Sequence, residues 1–200
     1  MQTLSGPMLP PASGGTARQL VVLLHGYGAD GHDLIGLGQH WQEFLPEAMF
    51  VSPHAPQSCG PGTPGFRWFP VAPPLPIRKV AAAPATRAEL VGFLAGLWAR
   101  TGLGAEDTVL AGFSQGAMMA LHVGLSLDAE LAGIIGFSGA LIPPEGFAAG
   151  LPHRPPVCLI HGDADEVVDL ALTAAAAAAL SDQGYEVRYH VSPGTAHGIS

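Results

Sequence analysis

The stretch Val109-Leu-Ala-Gly112-Phe-Ser114-Gln-Gly116-Ala-Met-Met-Ala-Leu-His-Val123 runs from a short apolar segment through the pattern G-x-S-x-G into helix-forming residues. A serine between a strand and a helix sits on a sharp, strained turn, and flanking glycines leave room where a β-carbon would collide. Such a turn holds the hydroxyl up at the end of a sheet as a nucleophile. A near repeat, Gly136-Phe-Ser138-Gly-Ala140, also follows a strand pattern. There Pro143 and Pro144 forbid the helix whose amino end would support a nucleophile and its oxyanion, so Ser138 is read as structural.

Outward from Ser114, β-branched and aliphatic runs alternate with helical stretches, the pattern of a parallel sheet covered by helices. Strands are expected at 19–24, 48–52, 108–112, 133–137, 157–161 and 186–191, and helices at 33–44, 87–101, 115–126 and 169–181. In the second helix, Thr86 and Glu89 form a capping box, and Leu90, Phe93, Leu94, Leu97 and Trp98 share one face. The fold class is α/β, in one domain over residues 1–200. The proline-rich stretch 53–84 has no periodicity and is expected to be a long functional loop at the carboxyl end of a strand.

Composition narrows the partners. With 200 residues, 48% apolar and 12% charged, the chain can bury a sizeable core. Eight basic against 16 acidic residues give a net charge of -8, which repels nucleic acid and anionic membranes. No apolar run reaches the roughly 20 residues that span a bilayer, and residues 1–15 lack the features of a secretory leader. A cytoplasmic protein is expected, with Cys59 and Cys158 as free thiols.

A serine hydroxyl is a weak nucleophile and needs an imidazole, which in turn needs a carboxylate to hold its tautomer. In this architecture both come from later loops, in the order Ser, Asp or Glu, His. Gly162-Asp163-Ala-Asp165-Glu166 follows one strand, and Ser192-Pro-Gly-Thr-Ala-His197-Gly follows the last. Asp165 is the favoured acid, with Asp163 as its alternative and Asp169 as a helix cap; His197 is the favoured base. The oxyanion needs backbone N–H donors, which the amides of Gln115 and of Tyr27, in Leu23-Leu-His25-Gly26-Tyr27-Gly28, supply. Gly26-Tyr-Gly28-Ala-Asp-Gly31 also spells G-x-G-x-x-G, but no carboxylate ends the second strand to hold a ribose, so a dinucleotide-binding protein is the minor alternative. Asp30, His32 and Asp33 lack further ligands of recognisable spacing, and Asp33 is read as a helix cap.

Taken together, residues 23–31, 112–116, 161–168 and 194–199 resemble the phospholipase/carboxylesterase family, which includes bacterial carboxylesterases and acyl-protein thioesterases. The resemblance implies an α/β-hydrolase fold without a separate cap domain, with helices on both faces of a mostly parallel sheet. It implies hydrolysis of small-molecule esters or thioesters with no cofactor and no metal. By position, Ser114, Asp165 and His197 resemble the family's triad, and the Tyr27 and Gln115 amides its oxyanion hole. It also implies a further helix beyond the histidine loop; a chain ending at Ser200 would expose apolar sheet surface and favour a homodimer. Trp68, with Phe66 or Phe69, either contacts the acyl group or anchors the long loop. The alternative from another class is a catalytically silent α/β-hydrolase acting as a binding module.

Overall fold

In the computed structural model, which describes residues 4–60, 62–70 and 86–199, the chain begins with β1 (Met8–Leu9), β2 (Gln19–Leu24), α1 (Gly31–Trp41) and β3 (Ala48–Val51). There follow β4 (Gln57–Ser58), β5 (Phe66–Arg67), α2 (Arg87–Thr101), β6 (Thr108–Phe113), α3 (Gln115–Gly124) and β7 (Gly133–Phe137). The last elements are β8 (Val157–Gly162), α4 (Leu170–Asp182) and β9 (Val187–Ser192). Seven strands form one sheet in the order β1-β3-β2-β6-β7-β8-β9. Within it β1 is antiparallel to β3, and the other pairs are parallel.

Alternation along the central strands sorts the two faces. Leu20, Val22 and Leu24 of β2 and Leu110 of β6 join one core with Leu90 and Leu94 of α2, Met118 and Leu121 of α3, and Leu180 of α4. The intervening Val21, Leu23 and Ala111 join a second core with Leu34 and Ile35 of α1. Helices therefore cover both faces, three on one and α1 on the other. On the α1 side, Val21, Trp41, Phe44, Leu45, Val109 and Ile135 line an open apolar groove of about 280 Å³. Among the described residues no helix is long and apolar enough to cross a membrane.

The expected helix 33–44 starts earlier, because Asp30, not Asp33, is its cap: the Asp30 carboxylate accepts the His32 amide at 2.7 Å. That carboxylate sits at the helix end where a dinucleotide's pyrophosphate would have to bind. Asp169 caps α4 as expected, accepting the Ala171 amide at 2.9 Å. The capping box at Thr86 does not form. The Thr86 hydroxyl donates instead to the Trp68 carbonyl at 2.7 Å, tying α2 to the loop before it. Nor is the loop 53–84 without regular structure, since β4 and β5 pair as a hairpin and Ala29 bridges to Phe66. Its residues 61 and 71–84 lie outside the described residues.

Two buried histidines brace the loops that end β2 and β7. His25 donates from Nδ1 to the Gly26 carbonyl at 2.7 Å and accepts the Ala55 amide on Nε2 at 2.9 Å. His122 on α3 holds the Ile142 carbonyl through Nδ1 at 3.0 Å. Burial lowers the pKa of both below the ordinary 6.5, outweighing the hydrogen bonds that pull the other way. Their unfolded forms therefore take up protons first as the solution is acidified. Stability falls as the pH drops below 6.5 and levels off once the folded-state values are passed. Urea midpoints measured stepwise from neutral to mildly acidic pH are expected to decline, and His122→Gln to decline less steeply.

Candidate active site

The elbow is strained where the sequence requires it. Ser114 has φ 54° and ψ -114°, a conformation that costs a non-glycine residue about 1–3 kcal/mol. The glycines on either side make it sterically feasible: a β-carbon on Gly116 would overlap the Leu24 carbonyl, and one on Gly112 the Gly116 backbone. Ser138 has φ 48° and is also buried, so this second turn is strained as well. No α-helix follows it before β8, and its hydroxyl has no hydrogen-bond partner among the described residues.

Ser114 Oγ lies 3.0 Å from His197 Nε2, and His197 Nδ1 lies 2.7 Å from Asp165 Oδ2. The other carboxylate oxygen, Oδ1, accepts the Val167 and Val168 amides at 2.8 and 2.9 Å. Burial by itself would raise the Asp165 carboxyl. The hydrogen bond from His197, the two amides and the attraction of His197 together outweigh it, holding the group below the usual carboxylate range. The ring of Phe113 lies 4.7 Å from that of His197, centroid to centroid.

Asp163 takes a different part. Its Oδ1 accepts the Gly194 amide at 2.6 Å, and the Ala164 amide donates to the Thr195 carbonyl at 3.1 Å, so the acid loop grips the histidine loop directly. The approach is so close that a β-carbon on Gly162 would overlap the Thr195 carbonyl.

On the other side of Ser114, Gly26 is close enough that a β-carbon there would lie 3.5 Å from that of the serine. The Gly28 amide donates to the Phe66 carbonyl at 2.9 Å, and the Phe66 amide to the Ala29 carbonyl at 2.8 Å. With Gly26 held through His25 and Gly28 held by β5, the Tyr27 amide between them donates to no acceptor among the described residues. The Gln115 amide opens α3 and has no helical carbonyl four residues back to receive it. Two unspent N–H groups thus stand on the two segments that flank Ser114.

The aromatic expectation needs correction at Trp68. Its side chain is fully buried, and its indole N–H donates to the His25 carbonyl at 2.9 Å, so it offers no surface to an acyl chain. Phe69 is buried too, whereas Phe66 is partly exposed and packs on His54 with ring centroids 5.6 Å apart. Gln115 holds this segment: its Oε1 accepts the Trp68 amide and its Nε2 donates to the Phe69 carbonyl, both at 2.7 Å. Sequence reasoning gave Gln115 only a backbone role and passed over His161, whose Nε2 lies 3.1 Å from Asp165 Oδ2. The available signal was its place four residues before the acid, on the strand end that carries it. Beside His197 opens a depression of about 490 Å³ lined by Leu34, Leu37, Phe113 and Ile199, with Asp33 and His40 as its polar members.

Residues 12–200 match the family model for phospholipase/carboxylesterase. Acyl-protein thioesterase 1 of Neurospora crassa is 32% identical over 211 residues, covering 96% of this chain and 84% of that protein. Esterase YpfH of Escherichia coli K12 is 31% identical over 188 residues, covering 92% and 77%. Among solved structures, esterase PE8 superposes with a TM-score of 0.89 at 48% identity, over all of this chain and 93% of that one. A carboxylesterase from Mesorhizobium loti, with a TM-score of 0.76 at 23% identity over 96% and 87% of the two chains, shares the fold. The strand order, the elbow and these likenesses agree: the chain belongs to the phospholipase/carboxylesterase family, carboxylic ester hydrolases of the α/β-hydrolase fold.

Proposed function

We propose that the protein is a serine carboxylesterase working through a covalent acyl-enzyme. Ser114 Oγ attacks the ester carbonyl as its proton passes to His197 Nε2, while Asp165 accepts the Nδ1–H and favours the imidazolium that forms. The amides of Tyr27 and Gln115 receive the oxyanion. His197 then hands its proton to the departing alcohol, and the acyl group stays on Ser114. Water deprotonated by His197 completes the turnover. The observation that supports this reading best is the unbroken path of 3.0 and 2.7 Å from Ser114 through His197 to Asp165. Phe66 and the apolar wall of the neighbouring depression are the substrate contacts in this reading, and the substrate is a small ester. Cys59 and Cys158 are free, as suits the reducing cytoplasm.

A second reading, hydrolysis of thioesters, is favoured by the relatives named acyl-protein thioesterase. The same machinery serves both, since only the leaving atom changes. The test is labelling with a fluorophosphonate, followed by hydrolysis of matched short-chain oxygen and sulfur esters in the presence of a chelator. The expected result is one adduct, on Ser114, with hydrolysis persisting in chelator; the faster of the two esters decides the preference. A folded protein that resists the label and hydrolyses neither ester would instead be the silent binding module.

A further inference from the structure

We propose that His161 is a positioning residue for Asp165, a second imidazole that donates to the same carboxylate oxygen as His197 and carries its positive charge there; the assignment rests on the triad role proposed for Asp165. His161 and Asp165 side chains are both fully buried. Thr173 Oγ1 lies 2.6 Å from the Gly139 carbonyl and 2.6 Å from His161 Nδ1. A carbonyl can only accept, so the single hydroxyl proton of Thr173 points to Gly139. What remains on Thr173 Oγ1 toward the ring is a lone pair, which Nδ1 must meet with an N–H. At the other end of the ring, Nε2 faces the Val168 carbonyl and Asp165 Oδ2, both at 3.1 Å and both acceptors. A bare nitrogen there would set its lone pair against two oxygens with no solvent between them. Both nitrogens therefore donate.

The consequence reaches the reacting atoms through Asp165. Its Oδ2 receives His197 and His161, and its Oδ1 receives two amides, so the carboxylate is held at both oxygens. A cation beyond Asp165 offsets part of the carboxylate's pull on the imidazolium that forms at His197 during turnover. The other titratable groups near the acid are otherwise engaged or outward. Asp163 takes the Gly194 amide, Asp169 caps α4, and Glu166 is exposed. From the elbow Ser114 faces His197 through a hydrogen bond, and from α1 Asp33 and His40 line the depression beside it.

Two readouts test this. In protein with 15N-labelled histidine, His161 is expected to show protons on both ring nitrogens through neutral pH; a ring nitrogen with the shift of a bare lone pair overturns the proposal. In kinetics, His161→Leu is expected to lower kcat by about 10–100-fold, the usual cost of losing a partner behind a catalytic ligand. KM should stay near its original value. The acid limb of kcat/KM should move to higher pH. His161→Gln, which keeps a donor without the charge, should recover kcat while leaving the limb displaced. If His161→Leu does not fold, Thr173→Val takes its place, with a smaller displacement in the same direction. An active enzyme whose acid limb is unmoved in these variants overturns the positioning role alone. Activity that survives Ser114→Ala removes the triad reading and this role with it, whatever the nitrogen spectra show.

Discussion

Ser114→Ala lowers kcat/KM for a short-chain p-nitrophenyl ester by about ten thousand- to a million-fold, the range found when a triad nucleophile is removed. The loss should fall on kcat, because in the proposed mechanism Ser114 contributes to bond making rather than to holding the ester. Folding is expected to be nearly unaffected, since φ of 54° strains alanine as much as serine. Ser114→Gly separates the two effects. It relieves that strain and should raise stability by about 1 kcal/mol or more while remaining as inactive as the alanine variant. Parallel kinetics and urea titrations on the two variants check both halves. Full activity in either would transfer the nucleophile's role elsewhere.

The second large effect is expected at a residue that touches no substrate. Trp68→Ala removes a fully buried indole and should cost about 3–5 kcal/mol, which in a chain of this size lowers the unfolding midpoint by about 6–20 °C. Activity should fall as well, because the indole N–H holds the His25 carbonyl and so the start of the loop that carries the Tyr27 amide. Trp68→Phe isolates that link. It keeps most of the ring volume but leaves the buried His25 carbonyl without its donor, so kcat is expected to drop further than thermal stability would suggest. Thermal denaturation beside steady-state kinetics at the same temperature distinguishes the two contributions. A Trp68→Phe enzyme with unchanged kcat would reduce Trp68 to core packing.

What could be read along the chain was the chemistry carried by local pattern. The strand before Ser114 and helix after it, the glycines at 112 and 116, and the order of Ser114, Asp165 and His197 are sequence properties, because an elbow and a crossover fold impose them within a few residues. The strands were legible for the same reason: a run such as Gln19–Leu24 must be apolar along nearly its whole length when both faces of the sheet are covered. Helix starts were less so. Asp30 and Asp33 are equally good caps as residue types, and the close approach of the Gly31 backbone to the Ser52 carbonyl brings in a contact from the loop that follows β3.

Everything that supports the site from behind was decided by tertiary structure. Trp68 reaches His25 and Gln115 across 43 and 47 residues, so its aromatic side chain gave no sign of which surface it would face. Thr86 had the spacing of a capping residue, yet its hydroxyl turns to the buried Trp68 carbonyl and donates there instead of accepting a helix amide. The choice between Asp163 and Asp165 turned on which carboxylate meets His197 and which the Gly194 amide, a distinction of two residues in sequence and of one hydrogen bond in space. His161 depends on Gly139 and Thr173, which lie 34 residues apart and meet only once α4 packs on the sheet beside the loop that ends β7. Hydrogen-bond donors and acceptors find partners by distance and direction, and those exist only after the chain has closed on itself.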